Sequence, residues 1–157
     1  IYTLPLHDAL PIYPAATAYE EQFGVFAFDG TATGVEKPVA WCLKFFADYL
    51  AAAPKPGTLR VFETQNQVQA GFEYRAEDAW FYGGEAFASQ VIRWDNPETT
   101  VVMARGDAGA ITLLSTIDMD LELNPKAMVA PPLPGASATG DWRRISLLKG
   151  KPVTIKR

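Results

Sequence analysis

The chain contains one cysteine and one histidine, carries no excess of positive charge and holds no long apolar run. Each shortage removes a class of function. A cysteine nucleophile needs a histidine base beside it, and neither candidate is well placed. Cys42 sits in an apolar helical stretch, where a buried structural thiol is expected. His7 belongs to an opening segment of doubtful origin, treated below. The net charge of −4 provides no global field for nucleic acid or an anionic membrane. Arg143, Arg144, Lys149, Lys151, Lys156 and Arg157 do cluster, but they are interleaved with strand-like apolar residues and read as a solvated strand face without a nucleic-acid motif. No apolar stretch approaches the length needed to cross a bilayer. Nucleic acid and membrane are therefore not expected partners.

What is present favours a packed domain. A length of 157 residues with 48 % hydrophobic content suits one domain, or one domain and a remnant of another, around a sizeable core. One helix is predicted, over Glu36–Ala53. Pro38 fits its first turn, and Val39, Cys42, Phe46, Tyr49 and Leu50 recur at spacings of three and four, with Leu43 and Phe45 widening the stripe. Pro54-Lys55-Pro56-Gly57 ends it and marks a domain boundary. So broad an apolar face must dock on something large.

Beyond Thr58 the period changes to two. Val68, Ala70, Phe72 and Tyr74 alternate with Gln67, Gln69, Gly71, Glu73 and Arg75, which predicts one side toward a core and the other toward water. Ile117, Met119, Leu121 and Leu123 repeat the pattern against Asp118, Asp120, Glu122 and Asn124. Shorter strands are predicted at 59–63, 79–82, 85–94, 100–103, 111–115, 145–148 and 153–156, with turns at Gly83-Gly84, Asn96-Pro97, Gly106-Asp107 and Gly150. About nine strands without an intervening helix imply a mainly β fold, an antiparallel β-sandwich preceded by one helix. Residues 130–140, rich in proline, read as one long loop.

Residues 1–12 stand apart. His7-Asp8-Ala9-Leu10-Pro11-Ile12 resembles a translated sequencing adapter, so this segment is excluded from the fold as an artefact. The rival reading makes Ile1–Asp8 the last strand of a barrel.

From Glu20 onward, Glu20-Glu21-Gln22-Phe23-Gly24-Val25-Phe26, then Asp29-Gly30-Thr31, then Lys37-Pro38-Val39-Ala40-Trp41, the chain resembles the exit from a (β/α)₈-barrel glycoside hydrolase. Members of that family leave the eighth strand here, turn at Asp-Gly and enter the helix that closes the barrel. Ala32-Thr33-Gly34-Val35 lengthens the turn relative to the family pattern. The later words, Trp94-Asp95-Asn96-Pro97 and Gly150-Lys151-Pro152-Val153-Thr154-Ile155, are similar to the small sandwich that often follows such barrels. The resemblance implies residues 13–57 as the terminal loop and helix of a truncated barrel and 58–157 as a C-terminal sandwich.

Barrel glycosidases cleave with two carboxylates at the C-terminal face of the barrel, and the resemblance places both upstream of this chain. No catalytic residue, metal ligand or cofactor is therefore assigned within it. Tyr19 or Glu21, in the loop that would border the cleft, and Trp80 are the candidate substrate-binding residues. The acids Asp118, Asp120 and Glu122 share one strand face, which reads as solvated, since a flat face does not wrap the six to eight oxygens that calcium takes. The expected partners are the upstream barrel and, through it, a poly- or oligosaccharide. The compartment is left open, with a secreted or periplasmic setting expected ahead of the cytoplasm. Two alternatives remain: a carbohydrate-binding module with an aromatic platform around Trp80 and Trp94, and an unrelated extracellular β-sandwich.

Overall fold

The structure, a computed structural model, describes residues 25–27, 34–52, 57–65, 68–74, 81–95, 99–106, 109–129 and 140–156. The chain divides into two compact units, Ile1–Leu43 and Lys44–Arg157.

In the first unit, β1 (Phe26–Ala27) pairs antiparallel with β2 (Val35–Glu36), Phe26 opposite Glu36 and Ala27 opposite Val35. Gly34 enters β2 with φ +62°, and a Cβ there would lie 2.8 Å from the carbonyl oxygen of Ala27, so both the backbone angle and the space call for glycine. The N–H of Lys37 donates to the carbonyl of Val25 at 2.9 Å, and that of Ala40 donates to Lys37 at 2.8 Å. With Pro38 as its first helical residue, where a missing N–H costs nothing, α1 (Pro38–Ala51) begins directly after this hairpin.

The second unit is mainly β, and both of its sheets are antiparallel. Six strands follow the order β11 (Val153–Lys156), β8 (Ala110–Ser115), β7 (Val101–Gly106), β3 (Thr58–Gln65), β4 (Val68–Tyr74), β5 (Phe81–Gly83). Three more follow the order β10 (Arg143–Leu147), β9 (Met119–Leu123), β6 (Ile92–Arg93). The sheets are arranged as in a sandwich around a common core. Phe62, Val102, Ala104, Ile111 and Leu113 come from the larger sheet, and Ile92, Leu121, Leu123 and Leu147 from the smaller. Two short helices close this core, α2 (Glu85–Val91) with Phe87, Ala88 and Val91, and α3 (Pro125–Val129) with Met128.

The helix α2 corrects the strand predicted over Glu85–Trp94, and with it the expectation of strands uninterrupted by helix. Ala86, Ala88 and Glu85 favour helix, and burying Phe87, Ala88 and Val91 requires the one-and-four spacing of a helix, whereas alternation would send Phe87 and Ala88 to opposite sides. Only Ile92 and Arg93 remain extended.

A second correction concerns β4. Alternation correctly located the strand but reversed the burial of part of it. Gly71 and Glu73 are buried, while Phe72 is 39 % exposed. The reason is that the sandwich core takes the Gly71 and Glu73 side of the strand, while the other side is covered only in part. One face bears the sandwich core. On the other, the Phe46 and Tyr49 rings of α1 lie edge-on to Tyr74, at 5.5 and 6.4 Å between centroids, and the Arg105 guanidinium lies 5.1 Å above the Phe45 ring. Gly71 turns its missing side chain toward the stacked rings of Phe62 and Phe87, 5.9 Å apart, where a Cβ would come within 2.6 Å of Phe87. Glu73 meets Arg60 across the strand pair.

Candidate functional site

The α1 helix contains only two charged side chains between Pro38 and Ala51, Lys44 and Asp48, and these lie four residues apart on one side. Apolar residues occupy most of the remaining circumference, which produces two distinct apolar faces. Phe45 and Tyr49, four apart, are buried at 3 % and 1 % exposure. Val39, Leu43 and Leu50, spaced by four and seven, form another face and are 47, 53 and 42 % exposed. Ala47 and Ala51 are exposed beside them and extend the row from Val39 and Leu43 at intervals of four, the spacing of a helix-packing ridge. Cys42 and Phe46 lie between the two faces and are half-buried. Burial raises the Cys42 thiol above its ordinary pKa, which leaves it protonated and unreactive near neutral pH.

The hairpin preceding the helix also exposes apolar side chains, Phe26 and Val35. Of the seven large hydrophobic residues exposed among those described, five (Phe26, Val35, Val39, Leu43, Leu50) precede residue 53 and two (Phe72, Leu148) follow it. Exposed apolar surface is therefore concentrated in and before α1, and scarce in the sandwich. An apolar row along one helix face, such as Val39 and Leu43, marks an interaction site rather than a solvated one.

The candidate substrate contacts Tyr19, Glu21 and Trp80 all lie outside the described residues. Trp94, the other residue of the suggested platform, is half-buried: it packs against the sandwich core, and its carbonyl accepts a 2.7 Å hydrogen bond from Nε2 of Gln69.

The three acids of β9 and its approach lie on the exposed face of the smaller sheet, as alternation predicted. Asp118 accepts the backbone N–H of Lys149 at 2.7 Å. Asp120 accepts from the Ser146 hydroxyl and from Arg144, the latter at 2.6 Å. The Ser146 hydroxyl, then Arg144, hold the Asp120 carboxyl below the usual carboxylate range. No group of three or more potential metal ligands occurs among the described residues.

Periodicity missed one charged pair altogether. Arg60 and Glu73 are each 1 % exposed. Nε and NH2 of Arg60 approach Oε2 of Glu73 at 3.0 and 2.8 Å. NH1 donates to the Ala127 carbonyl of α3, and the guanidinium lies 5.3 Å over the Phe87 ring of α2. One arginine thus ties together β3, β4, α2 and α3. Its burial, without access for a substrate, makes it a structural joint. The available signal was register, because Arg60 and Glu73 are direct cross-strand partners once β3 and β4 are paired.

No protein-family model, curated protein or solved structure matches this chain.

Proposed function

We propose that this chain is the C-terminal part of a (β/α)₈-barrel glycoside hydrolase. In this reading residues 1–12 are a sequencing artefact, 13–57 complete a barrel, and 58–157 form an accessory sandwich that stabilises it. Hydrolysis belongs to two carboxylates upstream of the chain, and the polypeptide alone does not cleave saccharides. The observation that carries the reading is the two-faced α1. A helix that is apolar around most of its surface belongs between two packed layers, and here one layer is the six-stranded sheet while the Val39–Leu43–Leu50 face is open. The order Phe-Gly-Val-Phe, Asp-Gly, Lys-Pro leading into that helix supports a barrel as the missing layer. The antiparallel pair β1–β2, which delivers the chain into α1, fits the same exit path.

The coding sequence adjoining Tyr13 in the parent DNA tests this. A continuous frame of alternating strands and helices, with acidic residues after its fourth and seventh strands, is expected. A stop codon directly upstream, or a frame of another fold class, overturns the proposal. In the joined protein, Leu43→Lys should lower the melting temperature far more than it does in the 157-residue chain, because only there is the side chain covered.

A further inference from the structure

The outer face of the smaller sheet holds an aromatic side chain that the core does not use. Trp142, immediately before β10, is half-buried yet absent from the residues packed on the sandwich core. It lies instead against Arg93 of β6, whose guanidinium carbon is 4.0 Å from the ring centroid. Nε of Arg93 also donates to the Ser89 carbonyl at 3.2 Å, which fixes the cation and, through it, the indole. Beside this pair the register sets Arg93, Glu122 and Arg144 in one cross-strand row, with Asp120 and Ser146 opposed in the next row on the same face. All four charged residues are exposed.

From this juxtaposition we infer that the outer face of β6–β9–β10 is a binding surface for a neutral saccharide chain, with Trp142 as the stacking plate and Arg144, Asp120 and Glu122 as hydroxyl partners. Two positive and two negative charges cancel across the paired rows and Asp118 adds a third acid to the same face, so it lacks the surplus of cations that a phosphate backbone or acidic glycan demands. Apart from the indole, the one large apolar side chain exposed beside these strands among the described residues is Leu148, at the opposite end of β10 from Trp142, so the face has no apolar cluster for a hydrophobic peptide or an acyl chain. What it does offer is one rigid amphipathic ring together with closely interleaved donors and acceptors. Sugar hydroxyls can both donate to the carboxylates and accept from the guanidinium, while the C–H face of the ring stacks on the indole. The three strands give a width of about 10 Å at ordinary strand spacing, enough for a short stretch of chain. This inference is independent of the docking role of α1 and places the plate at a residue on the face opposite the core, unlike Trp94.

Affinity electrophoresis of the 157-residue chain through gels containing hydroxyethylcellulose, xylan or galactomannan, each against a plain gel, tests it. The expected result is retardation by at least one of the three, at least 5-fold weaker in Trp142→Ala and Arg144→Ala and largely retained in Trp142→Phe, with unchanged circular dichroism. Should Trp142→Ala fail to fold, Arg144→Ala and Trp142→Phe carry the test. Mobility unchanged in all three gels, or retardation that both alanine variants preserve, overturns the inference. So does retardation confined to an acidic polymer such as polygalacturonate and abolished by 0.5 M salt, on the order of five times the ionic strength at which charge screening already reaches 10 Å.

Discussion

Removing Glu73 alone should be among the most damaging single changes available to the sandwich. The Glu73→Ala variant leaves the Arg60 guanidinium at 1 % exposure with its carboxylate partner gone. An unpaired buried charge of this kind costs about 3–5 kcal/mol, a large share of the roughly 5–15 kcal/mol that holds an ordinary domain folded. At about 2–4 °C per kcal/mol for a chain of this size, the melting temperature falls by about 6–20 °C. The double variant Arg60→Met, Glu73→Leu removes both charges and fills similar volume. It forfeits the hydrogen bond to Ala127 and the contact with Phe87, each worth about 1 kcal/mol, and should therefore lie within about 2 kcal/mol of the parent. Urea unfolding of the parent, of Arg60→Met and Glu73→Leu singly and of the double variant gives the coupling energy, expected to exceed about 2 kcal/mol. If Glu73→Ala costs under about 1 kcal/mol, or the double variant loses as much as the two singles added together, the buried pair is not the joint described here.

Four further changes probe other parts of the structure. Gly71→Ala drives a methyl group into the stacked Phe62 and Phe87 rings and should cost about 1–3 kcal/mol in urea melts; a neutral result would show that the rings can separate freely. Asn124→Ala removes the side-chain oxygen that accepts the Ala127 N–H at 3.3 Å at the start of α3 and should cost about 1 kcal/mol, measured the same way. In an NMR titration the Asp120 carboxyl should lose its proton below the usual range, and Ser146→Ala should move it back upward, since the Ser146 hydroxyl is the largest cause of the depression; whatever stability that lowered value contributes is present at neutral pH and disappears as pH falls through it. The 157-residue chain is expected to self-associate on size exclusion, and Leu43→Lys with Leu50→Lys to make it monodisperse at a cost of about 1 kcal/mol or less; a parent chain that is already monodisperse and cooperative counts against the docking role of α1.

Strands were legible in the sequence wherever one face meets water. Met119, Leu121 and Leu123 against Asp118, Asp120 and Glu122 gave the strand and its orientation together, because only the inner side is covered. In β4 the same alternation revealed the strand but misled about its sides, because the core side is occupied by Gly71 and the paired Glu73 while Phe72 lies on the partly covered side. Hydrophobicity ranks Phe72 as core and Glu73 as surface; only the partner, Arg60 across the ladder, makes the opposite arrangement stable. For α2 the apolar content of Glu85–Trp94 fitted either period, and the Phe87–Ala88–Val91 contacts with the core decided for helix.

The sequence by itself determined the mainly β class, the antiparallel strands, the helix after Lys37 and the excess of apolar residues on that helix, since all of these follow from local period and composition. Only the tertiary structure decided which of those apolar residues the sheet covers, that Trp94 turns to the core while Trp142 turns outward, and that Arg60 and Glu73 can be buried. Each of those outcomes depends on what stands across a strand or beneath a helix, and residues far apart in the chain become neighbours only when the register is set.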